Sequence, residues 1–139
     1  MPETPDVLKK ILEHKKGEVA SAKGAIPINE LRSKVSDLPA SRGFREALAN
    51  IVGAGETAII AEVKKGSPSK GVIRKDFNPS EIAAVYESNG AACLSILTDS
   101  RFFMGKLGYM EAIGKIVKIP LLRKDFIFDP YQLYEARVA

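Results

Sequence analysis

Ile59-Ile60-Ala61-Glu62-Val63-Lys64-Lys65-Gly66-Ser67-Pro68-Ser69-Lys70-Gly71 brings an acid and a base onto one face of an apolar strand and then breaks off into a loop. Side chains two apart on a strand share a face, so Ile60, Glu62 and Lys64 point one way and Ile59, Ala61 and Val63 the other. Burying Glu62 and Lys64 demands a partner or a purpose. Ser67-Pro68-Ser69 ends the strand, because proline donates no ladder hydrogen bond and holds the residue before it extended. The charged pair is therefore expected at the C-terminal end of a strand, where parallel α/β folds gather their active sites.

Downstream, strands and helices alternate. Asn78-Pro79-Ser80-Glu81 has the form of a helix start, with an Asn cap, a first-turn proline and a glutamate three residues after the cap. The helix carries Ile82, Val85 and Tyr86 and stops at Asn89-Gly90. Ala92 to Leu97 is apolar except for Ser95, as a parallel strand covered on both faces should be, and Thr98-Asp99-Ser100 breaks it. A helix near Tyr109 to Val117 leads to a third strand, Ile119 to Lys124, and Asp129-Pro130 repeats the cap-proline start. The strands begin roughly thirty residues apart, the size of a βαβ unit. A doubly wound nucleotide-binding sheet and a (β/α)8 barrel both follow this rhythm, but the sequence holds neither G-x-G-x-x-G nor a P-loop, which favours the barrel. A barrel takes about 250 residues, so a 139-residue chain would hold three of its eight strands. The expected fold class is α/β: residues 1–55 as a leading helical extension and 56–139 as three βα units of an incomplete barrel.

In the leading segment, Thr4 is a candidate cap ahead of Pro5, with Val7, Leu8, Ile11 and Leu12 at helical spacing. Asn29 is a second candidate cap before Leu31, Val35 and Leu38, and Phe44, Leu48 and Ile51 suggest a third helix. By pattern alone this segment is an ordinary packing extension. With 45% hydrophobic and 27% charged residues, and no apolar run near the ~18 residues of a membrane span, no membrane association is expected. The first residues lack a secretory pattern and the single cysteine, Cys93, excludes an internal disulfide, so a reducing cytoplasm fits best. The net charge of +4 is spread along the chain, which gives nucleic-acid binding little support but suits a phosphorylated or carboxylated small molecule.

The third strand repeats the logic of the first. Leu122, Lys124 and Phe126 should share one face, Arg123 and Asp125 the other, bringing Lys124 to the same mouth as Glu62 and Lys64. Crowded amines oppose one another's charging, a carboxylate favours it, and an amine so tuned serves as acid or base. The bland alternatives are a strand-end Lys124 paired with Asp125, and a structural Glu62–Lys64 ion pair. Phe103 and Phe126 can equally be core aromatics. Cys93 reads as a buried filler, since no histidine stands near it and metal-ligand His-Cys spacing is absent.

The apolar pair, Glu62, Lys64 and Ser67-Pro68-Ser69, in this order, resemble the signature of the indole-3-glycerol phosphate synthase family. Leu94 to Asp99 with Phe103 and Gly105 resembles its second-strand region, and Lys124-Asp125-Phe126-Ile127 with the Tyr131-Gln132 helix its third. Gly66 departs from the family's pattern, which more often has a small residue with a β-carbon, so a more flexible loop is expected there. The resemblance implies closure and decarboxylation of a carboxyphenylamino-deoxyribulose phosphate to indole-3-glycerol phosphate, carbon dioxide and water, without a cofactor or metal. It also implies residue roles. Lys124 would protonate the ribulose carbonyl, Lys64 would support phosphate and charge, and Glu62 would assist proton movement and loss of water. Ser67 would help bind substrate, while Leu97, Phe103 and Phe126 would wall the aromatic ring. The family's later catalytic glutamate, Asn-x-Arg pair and main phosphate loops have no counterpart in the chain, so it resembles an N-terminal part, inactive alone and prone to self-association through open sheet edges. A Schiff-base aldolase-like barrel and a non-catalytic assembly module are the rival readings.

Overall fold

The computed structural model describes residues 2–139. In chain order the elements are α1 (Asp6–Ala25), α2 (Ile28–Ser36), α3 (Phe44–Gly53), β1 (Ile60–Val63), β2 (Gly66–Ser67), β3 (Gly71–Val72), α4 (Pro79–Ser88), β4 (Cys93–Leu97), α5 (Leu107–Ile116), β5 (Leu121–Lys124) and α6 (Pro130–Val138). They form two compact units, one of residues up to Pro39 with Phe126–Val138, the other of Ala40–Asp125 with Ala139.

The first unit is helical. α1 buries Ile11, Lys15 and Val19, one turn apart on a single stripe. Lys15 is tolerated there because its Nζ donates to Glu18 Oε2 at 2.7 Å. Prolines, not polar caps, stand at the starts of α1 and α2. Lys9 N–H bonds to the Pro5 carbonyl, and Glu30 N–H to that of Pro27. Thr4 is therefore outside the helix and makes no cap, and Asn29 sits within the first turn of α2, so both expected caps are corrected. The core is Val19, Leu31 and Tyr131, flanked by Ala22, Ile28, Tyr134 and Val138. The Tyr131 hydroxyl lies 2.9 Å from the Ala22 carbonyl and 2.8 Å from that of Ile26, joining α6 to the end of α1.

In the second unit β1, β4 and β5 form a parallel sheet in that order. Ile60 to Val63 pair with Cys93 to Ile96, and Leu94 to Leu97 pair with Leu121 to Lys124. Strands in chain order separated by helices are the α/β repeat expected of the opening of a (β/α)8 barrel. Val63, Leu94 and Ile96 pack with Ile82 and Ala83 of α4, Met110 and Ile113 of α5, and Val117. The Asn78 cap is present, its Oδ1 accepting the Glu81 N–H at 3.2 Å. Arg42 fastens the segment before α3 to the end of α5, donating to the carbonyls of Gly114, Val117 and Ile119 at 2.7, 2.8 and 3.1 Å. Among the described residues no helix is long and apolar enough to cross a membrane.

The stretch after β1 differs from the expected flexible loop. Gly66 and Ser67 pair antiparallel with Val72 and Gly71, and Ile73 N–H returns to the Lys65 carbonyl at 2.8 Å. Gly66 is buried, and a β-carbon on it would lie 2.7 Å from the Gly71 carbonyl oxygen. Lacking a β-carbon here permits a tight hairpin.

Candidate active site at the strand ends

Parallel pairing puts Glu62, Ser95 and Leu122 level with one another, and Leu97 level with Lys124 one step closer to the C-terminal ends. These side chains occupy the face away from α4 and α5. Glu62 and Lys64 meet as an ion pair at 3.3 Å, and their side chains are 38% and 35% exposed. The expected burial of this pair is thus replaced by half exposure, and its geometry is open to a ligand. Tyr86 holds the strand beneath it, its hydroxyl donating to the Glu62 carbonyl at 3.1 Å. Lys124 ends β5 with an exposed side chain. Its carbonyl accepts the Thr98 N–H at 3.1 Å, which anchors the strand end to the segment after β4.

Asp125, the alternative partner for Lys124, turns to the reverse face. Its side chain is 1% exposed, accepts from Thr98 Oγ1 at 2.6 Å and lies 3.5 Å from Arg123 Nη2. Arg123 Nε donates to Thr98 Oγ1 at 3.1 Å. The residues on either side of Lys124 are thereby clamped in a buried polar cluster, which holds the lysine's backbone and directs its side chain the other way. Reading residues 98–100 merely as strand breakers missed this cluster. The available signal was Thr98 following five apolar-strand positions while Arg123 and Asp125 alternate with Lys124.

The loop from β4 to α5 carries Phe103. Asp99, fully buried, accepts the N–H groups of Phe102 and Phe103 on Oδ2 at 2.8 and 3.2 Å, and its carbonyl accepts Gly105 N–H at 2.7 Å. Asp99 is a local organiser that sequence reasoning treated only as a break. Ser67 is 9% exposed, and its Oγ accepts the Lys70 N–H at 3.2 Å, closing the hairpin turn. Leu97 is buried at 5% exposure.

Phe126 is a correction. β5 ends at Lys124, so the alternation that was to put Phe126 beside Leu122 and Lys124 does not reach it. Phe126 belongs to the helical unit, where its carbonyl accepts from Gln132 Nε2 at 2.8 Å. On the face of the sheet that carries Lys124, Cys93 and Leu97 are buried and Leu122 is 43% exposed. The Cys93 thiol is fully buried, its Sγ 3.6 Å from the Phe44 carbonyl of α3, and burial raises its pKa. It fills space instead of acting as a nucleophile. Among the described residues no group of three or more His, Cys, Asp or Glu side chains is placed to hold a metal ion.

The family model described as indole-3-glycerol phosphate synthase matches residues 8–139. An indole-3-glycerol phosphate synthase of Aromatoleum aromaticum is 52% identical over 132 residues, covering 95% of this chain and 50% of the relative. A protein of the same name from an Azoarcus species is 50% identical over the same length, with the same coverage. The chain spans about half the length of these curated relatives. With the family match extending from the first helix to the last residue, over the parallel strands and the acid-base pair at their ends, the chain belongs to the indole-3-glycerol phosphate synthase family.

Proposed function

We propose that this chain supplies the N-terminal half of an indole-3-glycerol phosphate synthase site, acting on 1-(2-carboxyphenylamino)-1-deoxyribulose 5-phosphate. The observation that carries the reading is the Glu62–Lys64 pair at 3.3 Å at the end of β1, with Lys124 ending β5 on the same face of one parallel sheet. Two amines and a carboxylate around one opening suit a reaction that makes and then discharges an oxyanion.

In this reading the ring carbon bearing the carboxylate attacks the ketone carbon, while Lys124 delivers a proton to the carbonyl oxygen, whose π bond breaks and which stays on the carbon as a hydroxyl. Loss of carbon dioxide returns the bonding pair to the ring. Glu62 then takes the proton from the carbon between the nitrogen and the hydroxyl-bearing carbon and passes it to the hydroxyl, which leaves as water while the ring double bond forms. Lys64 offsets the charge of the substrate phosphate and keeps Glu62 in place. Ser67 contributes to the phosphate side, and Leu97 with Phe103 walls the aromatic ring; Phe126 has weaker support, because strand alternation no longer carries it to the mouth. No cofactor is required by these steps.

The domain plan we assign is a helical extension over residues 1–55 and three βα units over 56–139. The setting is the cytoplasm, where the buried Cys93 thiol stays reduced. The substrate is a phosphorylated small molecule, and copies of the chain associate through sheet edges. The test is complementation. The chain by itself should form no fluorescent indole-3-glycerol phosphate above background, whereas co-expression with the C-terminal half of the Aromatoleum relative should restore turnover. Failure to restore it, with both pieces soluble and associated, would overturn the assignment.

A further inference from the structure

Met104 stands out among the described residues as the one with a β-carbon and a positive φ, +55°. That region is disfavoured for L side chains and persists only where the surroundings impose it. Here they do. Met104 N–H bonds to the Ser100 carbonyl at 3.2 Å, the next N–H, of Gly105, bonds to the Asp99 carbonyl at 2.7 Å, and Asp99 Oδ2 holds Phe102 and Phe103. The side chain that this backbone projects enters the notch over Gly66: a β-carbon on Gly66 would lie 2.9 Å from Met104 Sδ and 3.3 Å from its Cε. The thioether thus fills space that a β-carbon at position 66 would claim. An unbranched, polarizable chain suits such an irregular gap.

We infer that Met104 is a positioning residue that locks the loop carrying Phe103 onto the hairpin carrying Ser67. The inference rests on the functional reading above, because Ser67 and Phe103 are there assigned to opposite ends of one substrate. A substrate spanning phosphate and aromatic ring needs the distance between these walls held before it arrives. Gly66 and Met104 are one device: the glycine opens the notch and the strained methionine closes it.

Amide hydrogen exchange on the chain without substrate tests the lock directly. In Met104→Gly the backbone strain is relieved while the thioether is lost, so the Leu94 amide, inside the parallel sheet, should keep its protection. The Ile73 amide, bonded to the Lys65 carbonyl beyond the hairpin, should exchange about tenfold faster, the ratio for about 1.4 kcal/mol. Met104→Leu should restore most of that protection. Gly66→Ala reads the same contact from the other side, and should speed exchange at the Met104 and Gly105 amides. Unchanged Ile73 exchange, or equal acceleration at Ile73 and Leu94, overturns the inference. If Met104→Gly fails to fold, Gly66→Ala decides: the added β-carbon also meets the Gly71 carbonyl at 2.7 Å and loosens the hairpin in any case, so the readout is the Met104 and Gly105 amides, whose faster exchange supports the lock and whose unchanged exchange overturns it. In the complemented enzyme, Met104→Gly should raise KM by roughly tenfold with kcat held within about threefold, as loss of preset binding walls requires. A fall in kcat at unchanged KM would also overturn it. An inactive complemented enzyme sinks the proposed function and leaves the exchange result standing.

Discussion

Gly105 has no room for a larger residue. A β-carbon there would lie 2.2 Å from the Leu97 carbonyl oxygen and 3.0 Å from that of Asp99, both of them backbone atoms that cannot step aside alone. Gly105→Ala should therefore displace the end of β4 and destabilise the chain by about 1–3 kcal/mol, the range for overpacked sites. A denaturant midpoint equal to that of the parent would show that the loop yields. Lys124 makes the opposite case, since its side chain is exposed and its truncation tests the proposed role without disturbing packing. In the complemented enzyme Lys124→Ala should lower kcat by about 10²–10⁴-fold with a much smaller change in KM, as for a general acid. A normal kcat would remove Lys124 from its role. These two residues also differ in how openly the sequence declared them. Lys124 was legible because strand alternation assigns it a face. The Thr98, Arg123 and Asp125 side chains that hold it were not, because a buried charged cluster depends on which strand lies alongside, and spacing along one strand carries no record of its neighbour.

At the level of elements, the helix starts show where local rules hold and where they are overruled. Asn78 caps α4 as expected, and Tyr131 N–H bonds to Asp129 Oδ1 at 2.8 Å at the start of α6. Thr4 and Asn29 do not cap, since Pro5 and Pro27 occupy the N-cap positions with extended backbone, which leaves Thr4 one residue before the cap and Asn29 already inside the first turn. The antiparallel hairpin after β1 was illegible for a related reason. Two-residue strands have no period to read, and the turn between them is closed by Ser67 Oγ, a contact that composition does not announce. Asp129 offers an element-scale measurement. The Lys23 ammonium at 2.6 Å, together with the Tyr131 N–H, holds its carboxyl below the ordinary carboxylate range. A depressed carboxyl contributes stability that is complete above its unfolded value, about pH 3.9, and that disappears as pH falls through the lower folded value. Urea midpoints of the parent and of Asp129→Asn should therefore differ at neutral pH and converge in acid. A gap that stays constant into acid would mean the Lys23 contact adds nothing to α6. Tyr131→Phe, which leaves the carbonyls at the end of α1 without that hydroxyl, should lower stability by about 1 kcal/mol at any of these pH values.

For the molecule as a whole, the three-stranded sheet has β1 and β5 at its edges, with Ile60 46% and Leu122 43% exposed on them. Parallel edges with apolar side chains invite pairing with another chain. Light scattering coupled to chromatography should show a dimer or larger species whose population grows with concentration; a strictly monomeric profile across the accessible range would rule out edge pairing as a property of this chain. The α/β class and the order of the strands were legible at this scale because apolar runs and cap-proline starts recur at regular intervals. The cover over part of the inner face was not, since it comes from α3, a short helix whose own pattern says nothing about the strand it will lie against. That cover gives the chain a clock. Cys93 is the single thiol, and alkylation requires a thiolate that burial disfavours and a reagent that α3 keeps out. Labelling therefore requires an opening that uncovers Cys93, such as α3 parting from β4, and under fast-reclosing conditions the labelling rate divided by that of a free thiol gives the fraction of time spent ajar. If association closes over this region, that fraction should fall as protein concentration rises, so one cysteine reports both the local breathing of a helix and the assembly of whole chains.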